Sequence, residues 1–133
     1  MVRFRASNSD RPLDERGMPE GVPLRDGLEM TPRAAAEAMA RGEGFVLLDI
    51  REDQEFELAR VGGATEIPMS RLASELGGLE IEEDTPVGVI CHTGVRSLQI
   101  ALLLQQEGFE GARSVAGGID LWSRAVDASV PRY

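Results

Sequence analysis

The sequence predicts an α/β domain built on a mostly parallel sheet of about five strands with helices on both faces. Three observations predict it. Two short unbroken apolar runs, Phe45-Val46-Leu47-Leu48 and Val87-Gly88-Val89-Ile90, have the length and composition of strands covered on both faces. Strand-like segments alternate with segments bounded by helix start and stop signals, and right-handed crossovers join such units. No internal repeat or low-complexity tract breaks the alternation.

Taken in order, residues 1–27 carry Arg3, Arg5, Arg11, Arg16 and Arg25 with no sustained period of two or 3.6. They read as an extended N-terminal arm, either a mobile leader or linker remnant or an ordered strap packed on the domain, with Val22-Pro23-Leu24 as a stretch suited to docking. The domain proper is expected over residues 28–133. Residues 28–30 read as a short edge strand. Thr31 is a good N-cap and Pro32 a good first helical residue, so a helix runs through the alanines to Arg41 and stops at Gly42. The strand 45–48 follows and ends at Asp49. A short helix over 52–58, the Gly62-Gly63 break, a brief strand at 64–67 and a helix at about 70–76 come next. The acidic turn 80–84 is a solvated surface.

The central strand Val87–Ile90 delivers Cys91-His92-Thr93-Gly94-Val95-Arg96-Ser97 to a strand-to-helix turn. The following helix has Leu98, Ile100, Ala101, Leu102, Leu103 and Leu104 nearly all round its circumference and is therefore expected to be buried. Gly108 closes it, residues 113–116 form a last strand, and Gly117-Gly118 open a final helix through Ala125, packed on the core by Trp122.

Composition sets bounds on function. The chain has 133 residues, 42% of them hydrophobic, enough for one core and one domain. Its net charge of -9, with no lysine anywhere, excludes a nucleic-acid backbone as the expected partner. One cysteine and one histidine leave no metal-ligand cluster and no disulfide, which suits a reducing compartment. There is no signal-like apolar stretch and no membrane-length one, so the chain is read as cytoplasmic with no membrane partner. No cofactor is expected.

Cys91 is the chemistry-bearing residue. A thiol at the carboxyl end of a parallel strand, facing the amides of the next helix, sits where anions bind, and its thiolate is the nucleophilic form. The bland alternative is a small buried hydrophobe ending a core strand. Gly94, Arg96 and Ser97 suit an anion cradle and serve no core purpose.

The pattern Cys91-x-x-Gly94-x-Arg96-Ser97, with Leu47-Leu48-Asp49-Ile50-Arg51 upstream and Ala116-Gly117-Gly118-Ile119-Asp120-Leu121-Trp122 downstream, resembles the rhodanese (sulfurtransferase) domain. The resemblance covers roughly residues 28–133 and implies a rhodanese-like fold and sulfur transfer through a Cys91 persulfide. Its implied partners are a small anionic sulfur donor such as thiosulfate and a thiol, cyanide or protein acceptor. Only four residues separate Cys91 from Arg96. The resemblance associates this shorter loop with sulfur transfer and a loop one residue longer with cysteine-based phosphatases, which need room for a tetrahedral phosphoryl group.

On this reading Cys91 is catalytic and the amides of His92, Thr93, Gly94, Val95, Arg96 and Ser97 bind the persulfide anion. Ser97 caps the following helix. Arg96 either attracts the donor or braces the loop through Asp49, and Asp49 and Arg51 support the loop. His92 is a rim residue, not a base. Arg60-Val61-Gly62-Gly63-Ala64 departs from the Gly-His-Ile of many members, so any role of that histidine is lost. Residues 126–133 are similar to the tail of rhodanese domains fused to E1-like adenylyltransferases. That similarity raises an alternative, sulfur relay to a protein acceptor in cofactor or tRNA sulfuration. A cysteine-based phosphatase and a non-catalytic binding module are the remaining readings.

Overall fold

The computed structural model describes residues 11–42 and 44–133. Residues 1–10, with Arg3 and Arg5 of the arm, lie outside the described residues. The elements are β1 (Glu29–Met30), α1 (Pro32–Arg41), β2 (Val46–Asp49), α2 (Asp53–Leu58), β3 (Thr65–Glu66), α3 (Leu72–Glu75), β4 (Val87–Ile90), α4 (Val95–Gln106), β5 (Ala112–Val115) and α5 (Gly118–Ala125). All strand pairings are parallel, in the order β1-β5-β4-β2-β3. The five-stranded parallel α/β sheet expected from the sequence is the sheet observed.

Side-chain alternation along the strands builds two cores. Leu48 and Ile50 from the β2 segment and Val87, Val89 and Cys91 from the β4 segment face α3 and α4, packing with Leu72, Ile100, Ala101 and Leu104. Leu47 and Ile90 face the other way, towards Ala35 of α1 and Ile119 and Trp122 of α5. Trp122, 4% exposed, packs as predicted. Gly88 is needed on that second face: a Cβ there would sit 2.8 Å from Phe45 Cζ. Helix α1 starts where its signals place it, with Thr31 Oγ1 accepting from Ala34 N at 3.0 Å and Gly42 left-handed at the end.

Two expectations fail. Helix α4 is not buried all round: Leu102 is 39% and Leu103 48% exposed, because a helix in the outer layer of a three-layer fold turns only one stripe, Ser97, Ile100, Ala101 and Leu104, to the sheet. The helix expected at 70–76 is split into a 3-10 turn at Met69–Arg71, the single turn α3 and a second 3-10 turn at Leu76–Leu79, where two glycines weaken the helix. Over residues 11–27 the arm packs on the domain as a strap. Leu13 bridges Pro19, Asp14 Oδ1 accepts from Met18 N at 3.1 Å, and Met18, 2% exposed, packs on Ala116 and Leu121. Arg33 fastens it from α1, donating to Glu15 O at 3.1 Å. Leu13, Val22 and Leu24 pack against the same cluster, so the stretch suited to docking does dock.

Candidate active site

β4 ends at Ile90, and Cys91 begins a loop that wraps its own sulfur. Gly94, at φ +103°, turns the chain back so that its N–H points at Cys91 Sγ at 3.1 Å, and the Ser97 N–H reaches the same sulfur at 3.3 Å. Cys91 is 1% exposed. Ser97 Oγ lies 3.3 Å from Cys91 Sγ and 2.7 Å from Ser114 Oγ of β5, a buried hydroxyl chain ending on the sulfur. Ser97 is therefore not the cap of α4. Gly94 holds the N-cap position and Ser97 lies inside the first turn with its hydroxyl turned to the thiol.

The loop is backed by the start of α5. Ile119 N donates to Cys91 O at 2.8 Å and Asp120 N to His92 O at 3.1 Å. So close an approach requires glycine. A Cβ on Gly118, at φ +60°, would fall 2.4 Å from both Cys91 O and His92 O. Thr93 and Val95 turn outward, Val95 being 67% exposed, and they contribute backbone rather than side chain to the loop.

Arg96 is paired, though not with Asp49. Its Nη1 and Nη2 donate to Glu55 Oε2 and Oε1, each at 2.8 Å, a bidentate pair from the loop to α2. The hydrogen bonds from Arg96 hold the Glu55 carboxyl down at about 2, and the same pairing raises Arg96 above its usual range. Asp49 is taken by Arg51. Arg51 Nη2 meets Asp49 Oδ2 at 2.9 Å with both side chains fully buried, and Arg51 N donates to Asp49 Oδ1 at 3.1 Å. The expected Asp49–Arg96 brace is thus replaced by two pairs, because Asp49 satisfies its carboxylate locally, two residues along the chain.

Asp49 and Arg51 still reach the loop, by a longer route. Arg51 also donates to Glu55 O at 3.1 Å and Ala59 O at 2.7 Å, fixing α2 at both ends. That helix carries Glu55, and Glu55 holds Arg96. Asp49 pairs in register with Ile90, next to Cys91.

The C-terminal segment completes the rim. The Tyr133 ring stacks on His92 with centroids 4.1 Å apart and planes 8° from parallel. His92 Nε2 lies 2.7 Å from Tyr133 O. A carbonyl only accepts, so Nε2 carries the proton and is occupied away from the thiol. The Tyr133 hydroxyl donates to Glu55 Oε1 at 3.1 Å and accepts from Arg51 Nη1 at 3.0 Å. Burial pushes this phenol above its ordinary value, keeping it protonated.

Glu55, Ser114, Gly118 as a packing glycine and Tyr133 were not singled out from sequence. Two of them left a trace: a serine in a strand otherwise suited to burial, and consecutive glycines where one would end a turn. A cleft of about 470 Å³ lies between the strap and α5 and touches the loop at Thr93, away from the sulfur. Among the described residues, no group of His, Cys, Asp and Glu is arranged to hold a metal ion, and no helix is long and apolar enough to cross a membrane.

Residues 31–125 match the family of rhodanese-like domains. The chain belongs to that family. Thiosulfate sulfurtransferase GlpE of Haemophilus influenzae (strain PittEE) is 35% identical over 101 residues, covering 73% of this chain and 89% of that protein. Adenylyltransferase and sulfurtransferase MOCS3-1 of Zea mays is 30% identical over 132 residues, covering 96% of this chain and 28% of that protein. The chain thus spans little more than a quarter of the length of that multidomain relative. The human single-domain sulfurtransferase TSTD1 shares the fold with a TM-score of 0.63 and 26% identity, covering 71% of this chain and 93% of that one. In this rhodanese-like domain the surface pair Arg60–Glu66, at 3.3 Å, occupies the segment that departs from the familiar pattern.

Proposed function

We propose that this rhodanese-like domain is a sulfurtransferase that carries sulfane sulfur as a Cys91 persulfide, from a small anionic donor such as thiosulfate to cyanide, a thiol or a protein. The observation that carries this reading is the pair of backbone N–H groups of Gly94 and Ser97 aimed at Cys91 Sγ. Such preorganised donors stabilise an anion where it forms. The names of the relatives GlpE and MOCS3-1, both sulfurtransferases, support it.

In the first step the Cys91 thiolate attacks the outer sulfur of thiosulfate. The new S–S bond forms as the bond to the sulfonate sulfur breaks, and that electron pair leaves with sulfite. In the second step cyanide attacks the terminal sulfur of the persulfide, thiocyanate departs, and the S–S electron pair returns to Cys91. Charge and atoms balance without a cofactor. The backbone of His92, Thr93, Gly94, Val95, Arg96 and Ser97 lines the persulfide site, Ser97 Oγ donates to the anion, and Glu55 orients Arg96. Asp49 and Arg51 support the loop through α2. A free cysteine suits a reducing compartment, and we place the protein in the cytoplasm on that ground.

The second reading is relay of the persulfide to a protein acceptor. It is favoured by the match to MOCS3-1 along 96% of the chain. Mass spectrometry after thiosulfate treatment tests both readings. A labile adduct of one sulfur atom is expected on the wild type and none on Cys91→Ser, and turnover with cyanide is abolished in the variant. Substantial turnover in Cys91→Ser overturns the assignment. A persulfide that forms readily yet passes slowly to cyanide points to relay.

A further inference from the structure

The C-terminal tail is held far more firmly than a surface tail requires. Val130, 6% exposed, is buried against α5, with its carbonyl accepting from Ser123 Oγ at 2.6 Å. Arg132 Nε pairs with Asp120 Oδ1 at 2.8 Å. At the next residue the chain arrives at the loop, where Tyr133 is tied to both of its ends. At the start of the loop it stacks on His92 and accepts from Nε2. At the far end it shares Glu55 Oε1 with Arg96 Nη2, which donates to the same oxygen at 2.8 Å. It is therefore attached to the residue after Cys91 and, through one carboxylate, to the residue before Ser97.

We propose that Tyr133 is a positioning and specificity residue for chemistry at Cys91: its hydroxyl holds Glu55 where it orients Arg96, and its ring, with His92, walls one side of the approach to the sulfur. Two consequences follow from the contacts. Through Glu55 and Arg96 the hydroxyl governs how well the loop is shaped around an anionic donor. The ring governs size, because Cys91 is 1% exposed and the ring, stacked on the residue next to it, narrows the way in for a bulky reagent. The positioning half rests on the sulfur-transfer reading; the size half does not.

The single cysteine makes the test clean. Wild type, Tyr133→Phe and Tyr133→Ala are alkylated with iodoacetamide and with a bulky dye-maleimide, and the rates at Cys91 are followed by mass. Removing the ring is expected to raise the maleimide rate about tenfold while changing the iodoacetamide rate by less than about twofold, since only the large reagent requires the wider way in. Tyr133→Phe keeps the wild-type ratio. An unchanged ratio in Tyr133→Ala, or equal acceleration of both reagents, overturns the size filter whether or not sulfur is transferred. In parallel, thiosulfate:cyanide kinetics are measured. Tyr133→Phe is expected to raise the KM for thiosulfate about threefold with kcat little changed, and to add nothing in a Glu55→Gln background. A loss confined to kcat, or full additivity with Glu55→Gln, overturns the positioning role. Absence of any persulfide in the wild type is a separate result, striking the sulfur-transfer reading while the alkylation ratio still decides the wall.

Discussion

Glu55→Gln isolates the ion pair that anchors the Cys91 loop to α2. Glutamine keeps the size and one acceptor oxygen, enough to close the capping box with Glu52 N, at 2.9 Å in the native chain, and removes the charge together with the second acceptor of the bidentate pair. The carboxyl lies at about 2 in the folded protein against an ordinary 4.5, chiefly through its hydrogen bonds from Arg96. At about 1.4 kcal/mol per unit, that difference sets a ceiling of about 3.5 kcal/mol. Arg96 is 32% and Glu55 16% exposed, so solvent screens part of the attraction and about 2 kcal/mol is the expected loss at pH 7. For a chain of this size that is a melting temperature lower by about 7 °C.

The pH dependence follows from the same depression. A carboxyl with a lowered folded value stabilises fully above its unfolded value and loses that contribution as protons bind the folded state. The stability gap between wild type and Glu55→Gln is therefore full above pH 4.5 and closes as pH falls towards 2. Comparing the two proteins cancels the other acids with lowered values, Asp14, Asp53 and Asp127. Urea denaturation of both at pH 7, 4.5 and 3 measures the gap. A cycle with Arg96→Ala should be strongly non-additive. A gap that persists unchanged at pH 3, or additive losses, would refute the pairing as the source of the effect.

Arg51→Leu should cost about 3–5 kcal/mol in urea denaturation because it strands the fully buried Asp49 carboxylate; a loss below about 1 kcal/mol would show that Asp49 finds another partner. Gly118→Ala should lower stability by more than about 2 kcal/mol and slow persulfide formation, since its Cβ would meet Cys91 O at 2.4 Å, whereas Gly62→Ala, with open space around it, should be near neutral in the same melts. Hydrolysis of an aryl phosphate should stay below about 1 per second, and a faster rate would refute the argument from the short loop.

The parts of this molecule legible in its sequence are those written in neighbouring residues. Val87–Ile90 reads as a buried strand because four adjacent positions are apolar or glycine, and Thr31-Pro32 and Gly42 fix α1 because capping is a contact within one turn. Cys91, Gly94 and Ser97 meet within a seven-residue arc, so the cradle is legible as well. Arg96 is different. Glu55 lies 41 residues away, on a short helix whose pattern marks it as surface, and with 23 acidic residues for 14 arginines nothing in the chain alone selects it over Asp49. Strand direction told only that Asp49 leaves the correct sheet edge; it could not tell that Arg51, two residues on, would reach that carboxylate first. Tyr133 was hidden for the same reason, its contacts spanning 41 and 78 residues.

The partner of Arg96 decides the electrostatics of the site. With Arg51 matched by Asp49 and Arg96 by Glu55, neither guanidinium presents an unbalanced charge to the sulfur. In the proposed reaction the hold on a sulfur anion then falls mainly to fixed dipoles: the N–H groups of Gly94 and Ser97 and the Ser97 hydroxyl backed by Ser114. Dipoles of this kind act only at correct distance and angle, so loop shape matters more than loop charge. That is the physical reason for surrounding one cysteine with a left-handed Gly94, a Cβ-free Gly118 behind it, and paired charges whose work is to keep the loop in place.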